Sequence, residues 1–177
     1  DGFTAVEPDG SGGLVSVGYT NEGGTYDMLV MRSDQNANVI YRQRFDFGGE
    51  DTAFALVPMA DGSFTIVGNS VSGGTTEVVA FNLSLTGTVN WTYRYDNFFL
   101  GEDPVLHDLT DEIVIVGWGI DDNGCAGSGC RDLALIRLDN AGNEIFNVQH
   151  NLSQDLLDQG NAVTYIGSGA PLNTLAV

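Results

Sequence analysis

Asp61-Gly62-Ser63-Phe64-Thr65-Ile66-Val67-Gly68 decides the fold: a polar turn opens a short strand-forming run that stops at glycine. The same run returns on either side, as Leu14-Val15-Ser16-Val17-Gly18 and as Ile113-Val114-Ile115-Val116-Gly117. The three Val-Gly pairs are 50 and 49 residues apart. After each, an acidic residue opens a second run: Asp27-Met28-Leu29-Val30-Met31, Glu77-Val78-Val79-Ala80-Phe81 and Asp132-Leu133-Ala134-Leu135-Ile136. A polar turn and an aromatic-bearing run follow, with Tyr41, Trp91 and Phe146 stepping by 50 and 55. The longer last step coincides with an inserted stretch around Cys125 and Cys130.

A fourth run precedes or follows each set: Ala53 to Val57, Pro104 to Leu109, Ala162 to Ile166. The first two are introduced by Gly49-Glu50-Asp51 and Gly101-Glu102-Asp103, which read as equivalent turns. Thr4-Ala5-Val6 before Asp9-Gly10 similarly matches Ala55-Leu56-Val57 before Asp61-Gly62. No segment keeps helical periodicity over three turns, so the pattern predicts an all-β chain of four short strands per roughly 50 residues. The runs Ile113 to Val116 and Leu133 to Ile136 are apolar without alternation, which requires cover on both faces of the sheet. Four-stranded sheets that stack on their own repeats meet that need as blades of a β-propeller. A β-solenoid or a two-sheet sandwich is the structural alternative. Blades are expected over residues 3–47, 53–97 and 104–150, with a partial one over 161–177. At 50 residues each, 177 residues supply about three and a half, against the 4–8 of a closed ring. The expectation is a piece of a longer protein, or two copies closing one ring.

The composition is acidic. Twenty-four Asp and Glu stand against six basic residues, all arginine, for a net charge of −18. Phosphate contacts need a basic face, so nucleic acid and anionic membranes are excluded as partners. No run approaches the length of a membrane helix, so no membrane insertion is expected. A carboxylate-rich surface stays hydrated in salt, which fits a saline setting. Four small residues separate Cys125 from Cys130, a loop that suits a disulfide and an oxidising compartment; two free thiols are the alternative.

Asp61 to Ser70 (Asp-Gly-Ser-Phe-Thr-Ile-Val-Gly-Asn-Ser), taken with Leu138-Asp139-Asn140-Ala141-Gly142-Asn143-Glu144-Ile145-Phe146, resembles the repeats of secreted bacterial β-propellers. That resemblance implies a propeller on an extracellular or cell-surface protein, acting as a binding or structural module with no fixed catalytic set. Ala80 to Trp91 is similar to a quinoprotein propeller repeat, with one extra residue and Asn82 where that family has Asp. Ser84 to Trp91 is similar to an Asp-box, without its Asp.

No nucleophile elbow, phosphate loop or His-Glu-x-x-His occurs, and His107 and His150 stand alone, so no catalytic residues are assigned. The pairs Glu50/Asp51 and Glu102/Asp103 read as solvated turns rather than glycosidase acids. Asp121, Asp122, Asn123 and Asp132 gather oxygen donors around the cysteine loop and form a candidate Ca²⁺ set, the one cofactor expected if any is. Trp118, Asp121 and Asp122 are the candidate ligand contacts, with Trp118 as a stacking platform. The expected partners are protein segments or subunits that complete the ring, and glycans. A carbohydrate-active enzyme or lectin, and a surface-filament subunit, are the other functional readings.

Overall fold

The computed structural model describes residues 1–96, 98–107, 111–120, 131–150, 164–165 and 175–176. All regular structure among them is β, and the chain divides into two compact units, Asp1–Asp96 and Asn97–Val177.

The first unit holds two four-stranded antiparallel meanders. One comprises β1 (Gly2–Pro8), β2 (Leu14–Thr20), β3 (Asp27–Ser33) and β4 (Val39–Phe45). The other comprises β5 (Glu50–Pro58), β6 (Phe64–Ser72), β7 (Thr75–Leu83) and β8 (Val89–Asp96). The second unit holds a third such sheet: β9 (Phe98–His107), β10 (Ile113–Ile120), β11 (Arg131–Leu138) and β12 (Glu144–His150). It also contains the two-residue ladder of β13 (Thr164–Tyr165) with β14 (Leu175–Ala176).

The repeat is visible in the registers. Arg32 pairs with Tyr41, Asn82 with Trp91 and Arg137 with Phe146, and each pairing is followed by an irregularity one residue on. The Val-Gly signal has a steric cause. In all three sheets the first strand bulges opposite that dipeptide, between Phe3 and Ala5, between Ala53 and Ala55, and between Leu100 and Val105. A bulge leaves its extra residue unpaired and bends the strand that carries it. At Gly18 and Gly68 a Cβ would strike the carbonyl oxygens of Gly2 and Thr52.

Two expected equivalences are corrected by the same registers. Ala5 pairs with Val17 as Ala55 pairs with Val67, an offset of 50 (55 − 5), so Thr4-Ala5-Val6 matches Phe54-Ala55-Leu56 and Met59 holds the position of Asp9. Gly101-Glu102-Asp103 is not a linker turn but lies inside β9. Phe98 pairs with Gly119 as Asp51 pairs with Ser70, which makes Phe98 the counterpart of Asp51. Four residues, Gly101 to Pro104, separate the last pairings around the bulge of β9, against one, Phe54, in β5.

The third-to-fourth strand hairpins close identically. Asp34, Ser84 and Asp139 each donate their N–H to the carbonyl four residues on and accept a bond from the N–H three residues on. The Asp34 and Asp139 carboxylates also accept backbone bonds, from Asn36 and Asn38 and from Ala141 and Asn143. The Asn38 and Asn143 side chains lead in holding both carboxyls below the usual carboxylate range. The third turn position is Gly87 in one hairpin and Gly142 in another, both left-handed, but Ala37 in the first, at φ 62°. An alanine Cβ is strained there. Ala37→Gly is therefore expected to stabilise the chain by about 1 kcal/mol, read as a higher urea midpoint; an unchanged or lower midpoint would refute the strain.

Sheets one and two stack face to face around a single core. Val15, Val17, Met28 and Val30 of the first meet Ala53, Leu56, Phe64, Ile66, Val79, Phe81 and Leu83 of the second. Phe45 and Phe47 tilt onto Phe81 with ring centroids 4.9 and 5.5 Å away. Thr4 Oγ1 donates across the junction to Ala53 O at 2.6 Å. The expected two-faced burial is present in sheet two, where Val78, Val79, Ala80 and Phe81 in succession have no exposed surface. In sheet one the face away from the core leaves Phe3 and Val6 about half exposed, at 50% and 53%.

Candidate functional site

The six arginines sit on strands, and five have carboxylate partners among the described residues: Arg32 with Asp9, Arg42 with Asp1 and Glu22, Arg44 with Asp27, Arg94 with Glu77, and Arg137 with Glu112. The acidic surplus gathers at one end of the junction between sheets one and two, where three carboxylates stand together and Arg44 pairs with one of them.

Asp27 opens β3, Asp46 follows β4 directly across the ladder, and Asp51 lies at the start of β5. One carboxylate oxygen of each lies within 4.8 Å of the others. Backbone bonds fix the arrangement. Asp51 N donates to Tyr26 O at 2.7 Å, Phe47 N donates to Asp51 Oδ2 at 2.6 Å, and Gly48 N donates to Asp46 Oδ1 at 2.9 Å. The β4–β5 connection is thereby folded back so that Asp46 and Asp51 flank Asp27. Asp27 and Asp51 are fully buried, and Asp46 is exposed.

The charges there are under-compensated. Arg44 Nη1 stands 3.0 Å from Asp27 Oδ2, without hydrogen-bond alignment, and the Asp27 Oδ1 and Asp51 Oδ1 atoms have no hydrogen-bond partner. Burial drives the Asp27 carboxyl above the ordinary range; Arg44 opposes the rise, while Asp46 and Asp51 add to it. The sign follows from linkage. A carboxyl raised in the folded state is destabilising when ionised, so this group's contribution to stability falls as pH rises from the unfolded value, about 3.9, through its folded value.

Tyr26 and Thr52, each adjacent in sequence to one of these acids, line an open cavity of about 280 Å³ together with Tyr19. The two tyrosine rings meet edge to face, with centroids 5.4 Å apart. Such a pair offers a rigid apolar wall with polar tips.

The residues expected from sequence lie elsewhere. Trp118, half-buried in β10, pairs with Phe99 and Leu133, and Asp132 is buried in β11 opposite Gly119. Asp121, Asp122, Asn123, Cys125 and Cys130, and with them the disulfide and every member of the Ca²⁺ set except Asp132, lie outside the described residues. Asp46 was not singled out by the sequence. Asp27 reads from sequence only as a repeat position and Asp51 as part of a solvated turn with Glu50; the second reading is corrected, since Asp51 lies inside β5 and is fully buried by the fold-back at Phe47 and Gly48. The signal that could have found them is Asp27 and Asp46 standing cross-strand, with a second acid five residues on. The chain matches no protein-family model and no curated protein sequence.

Proposed function

We propose that this chain is a segment of a β-propeller that serves a secreted or cell-surface protein as a non-catalytic structural and interaction module. The observation that supports it is the polarity of stacking. Leu56, Ile66 and Phe81 pair across sheet two and are covered by sheet one. Val6, Ser16 and Met31 hold the same register in sheet one. They form the face on which Phe3 and Val6 remain exposed. A repeat that covers its successor in this sense needs a further sheet of the same kind in front of it, supplied by the same polypeptide or by a second copy. A structure of the completed assembly is expected to show sheets radiating about one axis with Phe3 and Val6 buried. Two sheets closed as a sandwich, with those side chains in solvent, would refute the reading, as would turnover by this chain of any substrate in a glycoside panel.

A glycan is the partner that the Tyr19–Tyr26 wall favours, since sugars stack on aromatic rings and bond to their polar tips. Tyr26→Ala should then abolish binding on a glycan array without changing the unfolding free energy by more than about 1 kcal/mol. An array on which this chain gives no hits sinks the glycan arm.

A further inference from the structure

We propose that Asp27, Asp46 and Asp51 form a binding site for a hard divalent cation, of the size of Ca²⁺, at the junction of sheets one and two. Three carboxylates and one guanidinium leave a formal charge of −2 in a space where two of the acids are fully buried. One divalent ion neutralises it. The donors are all oxygen, the class that selects Ca²⁺, Mg²⁺ or Mn²⁺ over softer metals. One oxygen of each acid lies within 4.8 Å of the others, close enough for a single ion to bridge all three, and Ca²⁺ accepts an irregular oxygen shell whereas Mg²⁺ demands near-ideal octahedral geometry.

Clustering of acids alone would not make a site on so acidic a protein. The independent observation is the pair of buried, unpartnered oxygens, Asp27 Oδ1 and Asp51 Oδ1. The next repeat supplies the contrast. Glu77 and Asp96 pair across β7 and β8 where Asp27 and Asp46 face each other, and Arg94 holds the place of Arg44. There Arg94 donates through both Nε and Nη2 to Glu77 Oε2, and the acid is partly exposed. The counterpart of Asp51 is Phe98. One arrangement is therefore a satisfied ion pair. The other has a shorter acid, an added third acid and lone pairs left open.

The proposal is independent of the propeller reading, and the test uses the whole chain. Thermal unfolding is followed in EDTA and then in CaCl₂ or MgCl₂ at constant ionic strength. Saturating Ca²⁺, at about 100 times Kd, is expected to raise Tm by about 5–10 °C, and Mg²⁺ by less. Asp46→Asn, an exposed position that does not endanger folding, and Asp27→Asn are expected to lose that gain. In EDTA, Asp27→Asn should melt at or above the wild-type temperature, because it removes a buried charge that Arg44 only partly compensates. Glu22→Gln, an acid of the Arg42 surface pair, should keep the full gain. No rise for the wild-type chain overturns the site. So does an equal rise in Asp46→Asn, which would mark diffuse screening of the surface charge.

Discussion

Gly68→Ala is expected to cost about 4 kcal/mol or to unfold the chain, among the largest effects a single methyl can have. The added Cβ would meet the Thr52 carbonyl oxygen, lie 2.8 Å from Ala53 Cα and approach Met28 Cε to 2.7 Å. Met28 can swing aside. Thr52 and Ala53 cannot, because they are backbone at the mouth of the β5 bulge and Ala53 is buried in the shared core. Relief would have to separate β5 from β6 and withdraw β5 from sheet one, so overpacking and lost ladder bonds add together. Gly18→Ala poses the same clash with Gly2 and Phe3, but there β1 carries the exposed face of its sheet, and a smaller loss is expected. Urea unfolding of the two variants measures the difference. A loss below about 1 kcal/mol at Gly68 would show that the bulge yields and is not rigid.

Arg32→Met is expected to cost about 3 kcal/mol near neutral pH. Asp9 is buried at the β1–β2 turn, and Arg32 reaches it through Nε at 2.9 Å and Nη2 at 2.8 Å. Arg32 Nη1 meanwhile donates to Leu85 O at 3.0 Å, tying sheet one to a hairpin of sheet two. Removing the guanidinium strands a buried carboxylate and cuts that tie. The loss sits at the lower end of what broken buried pairs cost, because Asp9 Oδ1 still accepts from Ser11 N and Gly13 N.

The pH dependence follows with a definite sign. Burial would raise the Asp9 carboxyl, but the Ser11, Arg32 and Gly13 hydrogen bonds outweigh it and hold the group far below the ordinary range. Its contribution is therefore complete above the unfolded value of about 3.9 and fades as pH falls below that. The penalty of Arg32→Met should shrink in the same acidic window. A penalty that stays constant down to pH about 2.5 would assign the loss to packing of the arginine stem and not to charge.

Much of this architecture was legible in the sequence because it rests on local chemistry. The Val-Gly pairs mark the bulges, the Asp-led turns carry their own hydrogen bonds, and the aromatic step of Tyr41, Trp91 and Phe146 keeps one register position through the insertion. Glu102-Asp103 misled because a motif match cannot see that β9 takes extra residues around its bulge. The acidic junction was illegible for a different reason. Asp27, Asp46 and Asp51 come from two sheets, and no periodicity within one strand encodes which ends of two stacked sheets meet.

Strand order follows chain order in every four-stranded sheet. Ladder partners consequently lie no more than 25 residues apart in these sheets, the widest pair being Ile113 with Leu138 (138 − 113). Each meander can zip from its own hairpins before any neighbour arrives, which keeps the contact order of the ladders low and their assembly fast for a β protein. Docking of preformed meanders then becomes the slow step, and duplication or loss of a whole 50-residue module leaves every remaining ladder intact.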